Sequence, residues 1–276
     1  EERPDGMLED KTIRPIFFSS PIVLPETNSA PVYYRYALGR GVGVMDNIKR
    51  NLENGVLPIY HSHLIDDDIH YNSVSFVSLE KSVLTAENVE GTHYMISDSR
   101  SGGRIFTETH KKQLEEIIAS TPPSNEETVL YILTSIENKG SVPRYAWVKT
   151  PRPALPINNL YMGAEYRYDP KQGFSSFSED RIFCISKIEG KPIENEEIAI
   201  LLQPGEKIDV SFCLPHEPIS MERAEQLAQE SEKSRYEACK TYWQNKLNQA
   251  AQITLPEQRI DEMIRAGLLH LDMVTY

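Results

Sequence analysis

From Lys207 to Leu214 polar and apolar residues alternate. Ile208, Val210, Phe212 and Leu214 fall on one side, Lys207, Asp209 and Ser211 on the other. This period of two predicts a strand with one buried and one wet face. Just before it, Gln203-Pro204-Gly205-Glu206 predicts a type II turn, because Pro presets φ and Gly takes the φ > 0 position. Apolar runs of similar length predict strands over residues 32–38, 57–61, 70–79, 92–97, 128–138, 144–149, 181–187 and 198–202. Asn138-Lys139-Gly140 is a second turn signal. Many short strands separated by such turns predict a mainly β chain, an antiparallel β-sandwich or barrel.

The pattern changes elsewhere. Residues 1–31 carry Pro4, Pro15, Pro21, Pro25 and Pro31 and read as a peripheral arm or edge segment, since Pro cannot donate to a central ladder. Short helices are expected at 46–54, closed by Gly55, and at 109–119, where Leu114, Ile117 and Ile118 share a side. Residues 150–157, with Pro151, Pro153 and Pro156, read as an extended loop. Past Pro218, Ser220 is a good N-cap, and residues 221–249 contain neither Gly nor Pro. One long helix is expected there. Its apolar stripe is thin at Ala224, Leu227 and Ala228 and thicker at Tyr236, Cys239, Tyr242, Trp243 and Leu247, as in a connector between two bodies.

A last helix begins near Pro256. Ile260, Met263, Ile264, Leu268, Leu271 and Val274 follow the 3.6-residue period, and Leu269 and Met273 add apolar groups off that stripe. No cap, Pro or basic turn closes the pattern by Tyr276, so a helix enclosed by further protein is expected. The expected organisation is a β-sandwich domain with an irregular N-terminal arm over 1–217, a helical linker over 218–252, and the start of a helical domain over 253–276. The chain is expected to be the front of a longer protein.

Composition narrows the function. The formal net charge of −12 disfavours nucleic acid and anionic lipid as partners, since both demand a basic face. A neutral polar ligand fits better. No apolar run reaches the roughly 18 residues of a membrane span. Cys184, Cys213 and Cys239 form an odd set without metal-binding spacing. Buried free thiols are the simplest reading, and a Cys184–Cys213 disulfide stays open if their strands pair.

Several residue groups suggest chemistry. His61, His63 and His70 flank Asp66-Asp67-Asp68. On a strand, His61 and His63 share a side and suggest a metal pair, and the aspartates suggest calcium, but the spacing matches no known metal loop, and an exposed polar loop is the simpler reading. Gly39-Arg40-Gly41-Val42-Gly43 suggests a phosphate turn, yet its glycine spacing fits a strand-end turn better. The acidic pairs Glu115-Glu116, Glu126-Glu127, Glu179-Asp180 and Glu196-Glu197 read as solvated surface, so no catalytic acid is assigned. Around the proline stretch lie Tyr145, Trp147, Tyr161, Tyr166 and Tyr168. Aromatic rings stack on the C–H faces of sugars, which makes Tyr145, Trp147 and Tyr161 the candidate substrate-binding residues. The competing expectation is that Tyr145 and Trp147 pack inside the sandwich, alternating with Ala146. Trp243 is expected to be buried between connector and sandwich.

Three strand-region segments, Ser78-Leu79-Glu80-Lys81-Ser82, Ser135-Ile136-Glu137-Asn138-Lys139-Gly140 and Leu202-Gln203-Pro204-Gly205-Glu206, precede Tyr242-Trp243-Gln244-Asn245-Lys246-Leu247 and Ile253-Thr254-Leu255-Pro256. This order resembles the six-hairpin glycosidases, to which glucoamylases, maltose phosphorylases and rhamnosidases are related, over about residues 60–276. The resemblance implies an N-terminal super-sandwich, a linker and the first helix of an (α/α)6 toroid. It implies that the general acid lies on a later helix pair or loop outside this chain. It also implies an oligo- or polysaccharide partner, no cofactor, and a bacterial periplasmic or extracellular setting. The expected function is that of a non-catalytic N-terminal sandwich of a glycoside hydrolase. The alternatives are a stand-alone carbohydrate-binding module and a metal-assisted enzyme using the His61–His70 region.

Overall fold

The structure is a computed structural model. It describes residues 2–4, 11–13, 32–40, 48–89, 107–120, 125–157, 160–252 and 254–274. The strands are β1 (Glu2–Pro4), β2 (Lys11–Ile13), β3 (Tyr33–Leu38), β4 (Ile48–Glu53), β5 (Leu57–Asp66), β6 (Ile69–Leu79), β7 (Thr128–Asn138), β8 (Arg144–Ile157), β9 (Leu160–Gly163), β10 (Arg167–Asp169), β11 (Phe174–Ser178), β12 (Arg181–Ile188), β13 (Lys191–Pro192), β14 (Glu197–Leu202) and β15 (Lys207–Pro215). One helix, α1 (Glu108–Ser120), interrupts them, and α2 (Met221–Gln229), α3 (Glu232–Gln249) and α4 (Gln258–Val274) follow.

The strands form two antiparallel sheets. One has the order β1-β2-β3-β8-β14, with β9 also on β8. The other has the order β10-β11-β12-β15-β7-β6-β5-β4, with β13 on β12. Their facing sides enclose the main core. Tyr34, Tyr36, Ala146, Val148 and Leu202 come from the first sheet, and Tyr71, Ile132, Ile136, Phe183, Val210 and Phe212 from the second. Tyr34 stacks on Phe183 with ring centroids 5.1 Å apart, and Tyr36 meets Phe212 edge-on at 5.7 Å. The chain is therefore an antiparallel β-sandwich followed by C-terminal helices, as the alternation predicts. The Pro204-Gly205 turn forms, with Gly205 at φ 78° and the Glu206 N–H donating to the Gln203 carbonyl at 2.9 Å.

A second core lies on the outer face of the larger sheet. Ile59, Phe76, Tyr131, Ile182, Ile185 and Cys213 are covered there by Ala224 and Leu227 of α2 and Cys239 of α3. The entry to α2 is fixed locally. Ile182 and Ile219 exchange two backbone hydrogen bonds, and the Asp180 carboxylate accepts from the Met221 N–H at 2.9 Å, a negative charge at a positive helix end. A third, smaller cluster joins Val56 and Leu57 of the β4–β5 hairpin to Leu247 of α3 and Leu269 of α4. Trp243 is half-buried and touches both the second and the third cluster. Among the described residues no helix is long and apolar enough to cross a membrane.

Three expectations need correction. Residues 48–53 are a strand rather than part of a helix at 46–54. Asn54 (φ 52°) and Gly55 (φ 73°) both take the left-handed conformation of a tight hairpin, which pairs β4 with β5. The stretch 150–157 is not a loop but the second half of β8, paired with β3 and β9. Proline removes only its own donor and its φ suits extended backbone, so a strand tolerates it where that donor has no partner. The helix expected over 221–249 is two helices: Glu230 is extended, and Ser231 caps α3 by accepting from the Ser234 N–H. The cysteines are the buried free thiols expected: Cys184 lies in the inter-sheet core and Cys213 in the core under the helices, on opposite faces of the sheet, so the pairing of β12 with β15 does not bring them into a disulfide. The strand expected at 92–97 lies outside the described residues, as do Gly41 and Gly43.

Candidate functional site

The outer face of the smaller sheet carries the candidate aromatic residues. Strand alternation turns Ala146 and Val148 into the core and Tyr145, Trp147 and Lys149 outward. Tyr145 is 56% exposed and Trp147 38% exposed, with ring centroids 6.4 Å apart. The inward packing expected for this pair is overturned: the residue between them fills the core. β14 lies alongside, with Leu201 opposite Tyr145 and Ala199 opposite Trp147, and Leu201 is also exposed. The backbone beneath is anchored from the other sheet, because the Trp147 N–H donates to the Tyr71 hydroxyl at 2.9 Å. Lys149 pairs with Glu197 at 3.2 Å at the next position along the strands.

Tyr161 is not part of this patch. It lies in β9 opposite Pro156, nine residues along β8 from Trp147, a separation of roughly 30 Å at strand rise. Tyr166 and Tyr168 are committed to the protein: their hydroxyls donate to Glu196 and to the Ile193 carbonyl. Two neighbouring rings on a rigid strand, flanked by one leucine, can stack against the apolar faces of sugar rings.

The histidines and aspartates find protein partners. His61 and His63 do share the outer face of β5, with His70 on β6, as their alternation requires. His61 Nε2 contacts Glu53 at 2.7 Å, while His63 Nε2 lies 3.1 Å from His70 Nδ1. Burial, then the neighbouring His70, lowers the pKa of His63. Asp66 is buried and accepts from the Arg40 backbone N–H and guanidinium, Asp67 also binds Arg40, and Asp68 binds Arg144 at 3.0 Å. Among the described residues no three His, Cys, Asp or Glu side chains gather as a metal site would require. Gly39, at φ 82°, turns the chain at the end of β3.

The acidic pairs expected on the surface divide. Glu115, Glu116, Glu179, Asp180 and Glu197 are exposed. Glu126 is not free: it accepts from the backbone N–H groups of Lys81 and Ser82. Glu127 is half-buried, and burial together with the nearby Glu217 pushes its carboxyl up to about 7.

Sequence reasoning missed the residues that bind helices to sheet. Glu80, at the end of β6, is buried and accepts two hydrogen bonds from Arg223 of α2. Arg235 of α3 is buried and donates to the carbonyls of Glu80, Lys81 and Ser82, and to Glu230. Glu53 of β4 accepts from His61, Tyr236 and Lys240, each at 2.7 Å. These pairs span up to 187 positions in sequence and no motif announces them. No family model, curated protein or solved structure matches the chain.

Proposed function

We propose that this chain is the N-terminal, non-catalytic sandwich and linker of a glycoside hydrolase of the six-hairpin type. In this reading the sandwich braces a helical catalytic domain and lines one side of its substrate cleft. The observation that carries the reading is α4. Leu269 buries against Val56, Leu57 and Leu247, and Lys246 of α3 pairs with Asp272 at 3.1 Å. The rest of the helix shows Ile260, Met263, Leu271 and Met273 to solvent, with Met263 65% and Leu271 61% exposed. An amphipathic helix held by one edge, with a second apolar side bare, suits a position between a sandwich and further helices. Gly267 lies on that helix with open space where a side chain would be, leaving room for a close helix crossing.

The coding sequence after the Tyr276 codon tests this reading. It should continue into paired helices, and the extended product should cleave aryl glycosides while the 276-residue chain does not. Glycosidase activity in the 276-residue chain, or an extension without helical hairpins, would overturn it.

The exposed Tyr145–Trp147 pair favours a second reading, a carbohydrate-binding module. Calorimetric titration with oligosaccharides should then show binding that Trp147→Ala weakens about tenfold, the size expected for one lost stacking platform. Unchanged affinity in a Tyr145→Ala/Trp147→Ala double variant rules that reading out.

A further inference from the structure

Among the described residues, the helices roof only part of the outer face of the larger sheet. Cross-strand register lays its side chains in rows. Phe76, Tyr131, Cys213 and Ile185 form the row beneath the helices. The next row is His61, Val74, Leu133, Ser211 and Lys187, and beyond it come His63, Asn72, Ser135 and Asp209. α3 covers the first row, and its first turn also reaches Ser211 and Lys187 of the second through Glu232. A groove of about 300 Å³ remains between these two rows and the first turns of α3, where Glu232, Lys233 and Tyr236 stand.

The lining has a definite chemistry. Val74 and Leu133 supply an apolar floor. Ser135 lines the groove, and its hydroxyl oxygen is buried, with no hydrogen-bond partner among the described residues. That hydroxyl is too deep to meet a ligand in the groove, so recognition falls to the exposed polar groups around it. Asn72, Asp209 and Lys233 surround it, exposed, with no side-chain hydrogen bond or ion pair among the described residues. Glu232 is already occupied by Ser211 at 2.7 Å and Lys187 at 3.3 Å.

The charges cancel. Asp209 and Glu232 are set against Lys233 and Lys187, so neither a lone anion nor a lone cation finds a net field. The free groups include donors and acceptors side by side: an amide, a carboxylate and an ammonium. A ligand rich in hydroxyls satisfies both kinds, and its C–H faces suit the floor. The volume lies at the lower end of ligand pockets. We infer that this groove is a binding site for a small neutral polyhydroxylated ligand, a mono- or disaccharide, held over Val74 and Leu133 by Asn72, Asp209 and Lys233. The site lies on the opposite sheet from Tyr145 and Trp147 and does not involve α4, so it stands apart from the proposed function.

The test is an amide NMR titration of the 276-residue chain with glucose, galactose, mannose and maltose, each to about 50 mM. At least one sugar should shift the amides of Leu133, Ser135, Asp209 and Lys233 with a saturable dissociation constant on the order of 1 mM. Asn72→Ala and Asp209→Ala remove exposed side chains and should leave the rest of the spectrum unchanged. Each should weaken binding at least fivefold, whereas Trp147→Ala should not change it. Three results would each overturn the assignment: no saturable shift in the groove, equal shifts in the Asn72→Ala and Asp209→Ala proteins, or tighter saturation by inorganic phosphate or ammonium than by any sugar. Silence in the groove leaves the Tyr145–Trp147 and α4 readings untouched, because their tests report on other residues.

Discussion

Arg223→Ala is expected to destabilise the fold by about 3–5 kcal/mol, the usual cost of stranding a buried charge. Its partner Glu80 has a side chain only 3% exposed, and the pair is bidentate, with Arg223 Nε 2.7 Å from Glu80 Oε1. Bidentate pairing holds the guanidinium in one plane and so fixes α2 against the end of β6. Without Arg223 the buried carboxylate loses both guanidinium hydrogen bonds, and Glu127, whose carboxyl burial already pushes up to about 7, loses a favourable positive neighbour. Urea unfolding at pH 7 gives the measure. A Glu80→Gln/Arg223→Met double variant should recover more than half of the loss, because it removes the charge together with its partner. A loss below about 1 kcal/mol in Arg223→Ala would place the pair with exposed salt bridges instead.

Glu53→Ala is expected to cost about 3 kcal/mol at pH 7, and this cost should vanish in acid. Burial alone would raise the pKa of Glu53. The hydrogen bonds from Lys240, Tyr236 and His61 outweigh burial and hold the group at about 2, against an ordinary 4.5. The sign follows from linkage. A depressed carboxyl pKa stabilises the folded state fully above the unfolded value and ceases to do so as pH falls through the folded one. The difference between wild type and Glu53→Ala should therefore be constant above pH 5 and shrink between about pH 5 and pH 2. Denaturant titrations at several pH values report it. Curves that stay parallel down to pH 2 would show that the carboxylate charge is not what joins β4, β5 and α3. The same variant frees Tyr236 and Lys240, so α3 should exchange its amides faster than the sandwich strands.

How far the sequence reaches can be judged element by element. β7 and β15 were legible because each has one face in the inter-sheet core, so alternation survives along the whole strand. β4 was not: Ile48-Lys49-Arg50-Asn51-Leu52-Glu53 is an edge strand with little to bury, and the Asn54-Gly55 turn that joins it to β5 read as the end of a helix. The break between α2 and α3 escaped because Ser231 caps from within an unbroken helix-favouring stretch. Tyr145 and Trp147 were legible as a pair sharing one face of β8. Which face was outward depended on Ala146 fitting the core, and volume matching across two sheets leaves no trace in a single strand.

Local order belongs to the sequence. Strand alternation, the Pro204-Gly205 turn, the Ser220 cap and the two-sided apolar character of α4 each follow from residues within a few positions of one another. Short-range sterics and periodicity are enough to set them. Tertiary structure alone decided which carboxylates are buried, which rings face water and where the sheet is left unroofed. Glu53, Glu80 and Ser135 owe their character to residues as many as 187 positions away. Desolvation and long-range pairing act through space, and they exist only once the two sheets and the helices have closed on each other.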